Sequence, residues 1–108
     1  MAIVNKSPKE VYELIQNNKD VVILDVRTEE EYKNDGHLKG AILINIQSGN
    51  FADKVNKLDK EKTYVVYCKG GIRSMKACNI MDGLGFKNII NLDGGIINWI
   101  NNGLPVEK

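Results

Sequence analysis

Residues 63–74 read TYVVYCKGGIRS, and the fold is decided there. Thr63 to Tyr67 are five consecutive β-branched or aromatic residues, the strongest strand former in the chain. They run directly into Cys68, then Lys69, the adjacent glycines Gly70 and Gly71, and Ile72. From Arg73 to Leu84 the period changes to that of a helix, with Ala77, Cys78, Met81 and Leu84 on one stripe. A buried strand that turns through glycine into a helix is the repeating step of a parallel sheet. In such sheets ligands bind at the carboxyl ends of the strands.

The rest of the chain repeats that step. Ile3 and Val4 read as a short edge strand. Ser7, Pro8 and Glu10 form a capping box with proline at the first helical position, predicting a helix over 8–17 with Val11, Leu14 and Ile15 inward. Val21 to Leu24 is an aliphatic run suited to a strand buried on both faces. Thr28 and Glu31 make a second capping box, opening a short helix that ends near Gly36. Ala41 to Ile44 read as a strand, Phe51, Val55 and Leu58 as a helical face, and Asn88 to Leu92 as the last strand. A final helix over 96–100 stops at Gly103 and Pro105. Strands alternating with helices predict an α/β domain with a largely parallel sheet and helices on both faces, a single domain over 1–108.

Composition agrees with that reading. The chain has 108 residues, thirty of them Val, Ile or Leu, which is enough for a core. The net charge of +1 gives no bulk attraction to nucleic acid or to an anionic membrane. No apolar run approaches the roughly 18 residues of a membrane span, and the opening MAIVNKSPKE lacks the apolar stretch of a secretory signal. Two cysteines and one histidine suggest neither a disulfide framework nor a metal site. The expectation is a cytoplasmic domain without metal or cofactor. Thirteen of the fifteen basic residues are Lys, so Arg27 and Arg73 stand out as positions where a rigid, permanently charged fork is used; a salt bridge is the simplest use for each.

The chemistry centres on Cys68. Gly70 and Gly71 let the backbone curl so that successive amides converge on one point. The start of the following helix adds unpaired N–H groups, and Lys69 and Arg73 add charge. An anion above Cys68 is favoured, and the thiol should ionise more readily than an ordinary cysteine. Cys78, inside a helix on an apolar stripe, has none of this around it and reads as core packing.

These residues carry a family resemblance. CKGGIRS at 68–74 resembles the active-site loop of rhodanese-like sulfurtransferases: Cys, two variable residues, Gly, one variable residue, Arg, then Ser or Thr. LDVRTEEEY at 24–32, GHLKGAILI at 36–44 and LDGGIINWINNGLPV at 92–106 are similar to further family segments, in the same order. The resemblance implies a central parallel sheet of about five strands. It also implies that Cys68 accepts a sulfane sulfur as a persulfide and passes it on. The simplest donor is a small one such as thiosulfate, the simplest acceptor cyanide or a thiol. The alternative is a non-catalytic persulfide carrier or protein-docking module in a sulfur relay, with a protein as sulfur donor or acceptor. Lys69 and Ile72 fall at variable positions of the loop. Four residues separate Cys68 from Arg73; related cysteine phosphatases have five, so the spacing argues against phosphatase chemistry.

Supporting positions follow. Asp25 and Arg27 end the second strand at the edge that carries Cys68, and the resemblance implies that Arg27 pairs with a helix carboxylate, Glu30 or Glu31. Ser74, in the first helical turn, is expected to bind either the loop backbone or the sulfur anion. The acidic run Glu29 to Glu31 suits a helix N-terminus and needs no partner. His37 reads as a turn residue, Trp99 as a core plug. Asp93, Gly94 and Gly95 form a second turn at the same edge, without the Lys-Ser or Lys-Thr of a nucleotide loop.

Overall fold

Both capping boxes form and set the first two helices. Ser7 Oγ accepts from the Glu10 amide at 3.2 Å, and the Glu10 carboxylate accepts from the Ser7 amide at 2.9 Å. Thr28 and Glu31 repeat the exchange. The computed structural model describes residues 2–108. Along it run β1 (Ile3–Lys6), α1 (Pro8–Asn17), β2 (Val22–Asp25), α2 (Glu29–Asn34) and β3 (Ile42–Leu43). Then come α3 (Phe51–Val55), β4 (Thr63–Tyr67), α4 (Ile72–Gly83), β5 (Asn88–Leu92) and α5 (Gly95–Asn101). A 3-10 turn, Ile46–Ser48, precedes α3 and carries no apolar period that the sequence would betray.

The five strands form one sheet in the order β1-β5-β4-β2-β3, every neighbour parallel. Side chains alternate between its faces, as the strand period of two requires. Tyr64, Val66 and Ile89 pack with Phe51, Val55, Ala77, Cys78 and Met81, under α3 and α4. Val65, Tyr67, Ile90 and Leu92 pack on the other face with Val11, Ile96 and Trp99, under α1 and α5. Trp99 is the core plug expected, its indole N–H donating to the Pro105 carbonyl at 2.8 Å. Helix α3 is shorter than the spacing of Phe51, Val55 and Leu58 suggests. It ends at Val55, and Leu58 packs from the following turn, its amide bonded to the Val55 carbonyl.

The strand order fixes where a site can be. From β2 the chain steps outward to β3, while from β4 it steps the opposite way to β5. The connections therefore diverge above the carboxyl ends of β2 and β4, leaving a crevice there. Asp25 is in register with Tyr67, so the β2 end and Cys68 are neighbours. Among the described residues no helix is long and apolar enough to cross a membrane.

Candidate active site

Cys68 leaves β4 and is buried at the base of the loop. Its sulfur accepts hydrogen bonds from the Gly71 amide at 3.1 Å and the Ser74 amide at 3.3 Å. The Ser74 hydroxyl lies 3.4 Å from the sulfur and also reaches the Gly71 carbonyl at 3.1 Å. As a thiol, Cys68 donates to that oxygen; as a thiolate it accepts from it. The sequence left open whether Ser74 binds the loop or the sulfur, and it does both. Gly71 makes the turn possible, with φ of 113°, a conformation that a side chain would strain.

Two opposing effects act on the thiol. Burial pushes its pKa up, but the Ser74 hydroxyl and the amides of Ser74, Gly71 and Gly70 outweigh it, and the net displacement is downward. Cys78 has the burial without the donors. Burial there, with the nearby Cys68 charge, pushes its pKa up to about 12. Two thiols ten positions apart are thus placed on opposite sides of ordinary cysteine acidity.

The loop is braced from two sides. From below, the α5 amides of Ile96 and Ile97 donate to the carbonyls of Cys68 and Lys69 at 3.0 and 3.2 Å. Gly95 permits this approach: a Cβ there would overlap the Lys69 carbonyl and lie 2.8 Å from the Cys68 oxygen. The Gly94–Gly95 turn is therefore not a free anion cradle, because the first donors of its helix are consumed in holding the cysteine loop. From the side, the Arg73 guanidinium forms two parallel bonds to Glu31, at 2.8 and 2.9 Å. This clamps the first turn of α4 to the first turn of α2. The Arg73 bonds, with the Thr28 amide and hydroxyl, hold the Glu31 carboxylate at a pKa of about 2 despite partial burial.

That clamp revises two expectations. Arg27 does not pair with Glu30 or Glu31. It is fully buried with Asp25, Nη2 to Oδ2 at 2.8 Å, and donates to the Gly36 carbonyl at 2.7 Å. Asp25 wins because it shares the buried strand end, two residues away, whereas Glu31 projects toward α4. The acidic run is also not unpartnered: Glu29 meets Lys33, and Glu31 meets Arg73. Through Gly36, Arg27 fixes the turn that contains His37. His37 is the turn residue expected, stacked on Tyr32 with Nδ1 2.9 Å from the Tyr32 carbonyl and its backbone paired with Glu107. Tyr67 accepts from the Leu38 amide at 3.1 Å, and burial holds its phenol neutral.

Lys69 and Ile72 face outward, Ile72 being 89% exposed at the loop tip. Beside the loop, a groove of about 810 Å³ runs from Gly70 and Gly71 along α4 to the ends of β1 and β5. Neither this groove nor the pairing of Glu31 with Arg73 has a local signal in the sequence. Among the described residues no group of His, Cys, Asp and Glu is arranged to hold a metal ion.

Comparison with known proteins agrees with this geometry. Residues 7–102 match the family model described as the rhodanese-like domain. A Bacillus subtilis protein provisionally named sulfurtransferase YtwF is 35% identical, over 92% of each chain. The tRNA uridine(34) hydroxylase of Pelagibacter ubique is 40% identical over 88% of this chain, which spans only 31% of that enzyme. The crystal structure of a rhodanese-related protein from Thermoplasma volcanium superimposes with a TM-score of 0.84 at 33% identity, covering 95% of this chain and 96% of that one. Loop, topology and kinship agree, and the chain belongs to the rhodanese-like family of sulfurtransferase domains.

Proposed function

We propose that the protein transfers sulfane sulfur through a Cys68 persulfide. The Cys68 thiolate attacks the outer sulfur of a donor such as thiosulfate; a bond forms between Sγ and that sulfur, the donor's S–S bond breaks, and sulfite leaves with the electron pair. Cyanide or an acceptor thiol then attacks the bound sulfur, and Sγ departs as the thiolate. Both resting forms are anions, and both need donors already in place. No general base is required where the thiol is already ionised, in keeping with a site in which His37 serves the turn.

The observation that carries this reading is the convergence on the Cys68 sulfur of the Gly71 and Ser74 amides, which donate to it, with the Ser74 hydroxyl oxygen 3.4 Å away and able to donate once the sulfur is ionised. In this reading Arg73 acts mainly by fixing the loop, since Glu31 occupies both its terminal nitrogens. Residues 69–74 together form the substrate-binding loop, and Asp25 and Arg27 support it from the end of β2. The test is incubation with thiosulfate followed by intact-protein mass measurement. A one-sulfur adduct on Cys68, discharged by cyanide, is expected; no adduct, or one on Cys78, overturns the proposal. A persulfide that forms but discharges only to a protein would instead identify a relay carrier.

A further inference from the structure

The cysteine loop lies at the carboxyl edge of the sheet, and a separate pocket of about 250 Å³ opens on the sheet face that packs under α1 and α5. None of residues 68–74 lines it. Tyr12 and Ile15 form one wall from α1, at the spacing of three that brings helical side chains to one face. Both are half-buried, and exposed Pro105 faces the pocket from beyond α5. Leu38 and Trp99, 1% and 3% exposed, are its floor. The Tyr12 ring meets Trp99 edge-on, with centroids 5.9 Å apart. The surface open to a visitor is thus an aromatic ring, an aliphatic branch and a proline, a surround suited to an apolar body.

Size and charge narrow the class of ligand. An apolar cavity of roughly 150 Å³ holds a benzene ring, whereas drug-sized ligands take about 300 Å³ or more. A space of about 250 Å³ therefore suits one ring with a short substituent and is too small for a nucleotide. No Asp or Glu lines the pocket, but Lys19 and Lys39 do. Both are exposed and, among the described residues, neither takes part in an ion pair. A lysine lays its apolar stem along a hydrophobic surface and keeps its ammonium at the rim, so the substituent that fits is an anion. Phosphate is commonly held by a glycine-rich turn at a helix start or by an arginine fork. No glycine and no arginine lines this pocket, and a carboxylate is the better match.

We propose that this pocket binds a small aromatic acid, with its ring against Tyr12, Ile15 and Pro105 and its carboxylate paired with Lys19 and Lys39. Binding is non-covalent and independent of the sulfur chemistry, since the two sites share no lining residue.

Trp99 is the chain's single tryptophan, and its indole N–H is bonded to the carbonyl of Pro105, so it reports from the pocket itself. The experiment titrates phenylacetate, phenethylamine and acetate into the full chain. It follows Trp99 fluorescence, excited where the phenyl ring is transparent, together with NMR shifts of the backbone amides and the indole N–H. Phenylacetate is expected to saturate, with shifts centred on Tyr12, Lys39 and the Trp99 indole. Phenethylamine, with the same ring and the opposite charge, and acetate, with no ring, are expected not to saturate. Lys19→Gln and Lys39→Gln together, both exposed changes that leave the core intact, should weaken phenylacetate binding about tenfold. No saturable response to phenylacetate, an equal response to phenethylamine, or an affinity unchanged in the double variant overturns the proposal. Shifts centred on residues 68–74 would overturn it as well. A Trp99 signal that follows protein concentration instead of phenylacetate would place a second copy of the chain in the pocket, and that too would refute it.

Discussion

Replacing Gly95 by alanine separates bracing of the loop from general stability, because Gly103 offers a matched control. Both glycines hold positive φ, 67° and 75°, so an alanine at either pays about 1–2 kcal/mol for the left-handed conformation. Around Gly103 a new Cβ meets nothing within 4 Å. At Gly95 it lies 2.5 Å from the Lys69 carbonyl carbon and 2.8 Å from the Cys68 oxygen, where real Cβ atoms keep at least 3.0 Å. The loop backbone must therefore recede by at least about 0.5 Å. Receding weakens the Ile96 and Ile97 hydrogen bonds to the Cys68 and Lys69 carbonyls, each worth about 1 kcal/mol. The expected destabilisation is about 3–4 kcal/mol for Gly95→Ala against about 1–2 kcal/mol for Gly103→Ala. Displacing a reacting group by an ångström costs on the order of a hundredfold in rate, so a tenfold or greater loss of sulfur transfer is expected for Gly95→Ala alone. Urea unfolding and steady-state transfer, measured on both variants, decide the matter. Equal stability and equal turnover in the two would refute the idea that α5 braces the cysteine loop.

Other consequences are simpler. Cys68→Ser should abolish persulfide formation, whereas Cys78→Ala should cost about 1 kcal/mol of stability for a small cavity and leave turnover near wild type, as intact mass and thermal melting would show. Glu31→Gln loosens a clamp that is partly exposed, so about 1 kcal/mol of stability is at stake; sulfur transfer should fall and the thermal midpoint drop by about 5 °C. Because the folded-state pKa of Glu31 is lowered from 4.5 to about 2, the contribution of its charge is fully present above pH 4.5 and is lost as pH falls through about 2. Melting curves against pH should show that acid loss in wild type and its absence in Glu31→Gln. Asp25→Asn strands a buried guanidinium and should destabilise by about 3–5 kcal/mol, measured by urea unfolding.

Much of the fold was legible because its signals are local. The Ser7–Glu10 and Thr28–Glu31 boxes lie within one helical turn, and the aliphatic runs of β2 and β4 identify strands without reference to neighbours. The cysteine loop was legible for the same reason, since glycines, sulfur and the following helix are contiguous. Contacts across the sheet edge were not. The Glu31–Arg73 clamp joins residues 42 positions apart, and nothing in either capping box announces that its glutamate has a second partner. Arg27 pairs with Asp25 instead of the helix carboxylate that the family resemblance implies, because the buried turn at the end of β2 folds the two together. Gly94 and Gly95 announce a turn, but only the fold shows that the Cys68 and Lys69 carbonyls leave no room for a Cβ.

The acidity of Cys68 is the most direct test, read as the rate of its alkylation against pH with Cys78→Ala as background. The backbone and Ser74 donors lower its pKa against the pull of burial. The rate should therefore stay high below the pH of about 8.5 at which a free cysteine half-ionises, and fall only as the thiolate is protonated at more acid pH. Removing the Ser74 hydroxyl, as in Ser74→Ala, should move that inflection upward. An inflection at or above the free-cysteine value, unmoved by Ser74→Ala, would contradict the claim that this loop exists to hold a sulfur anion.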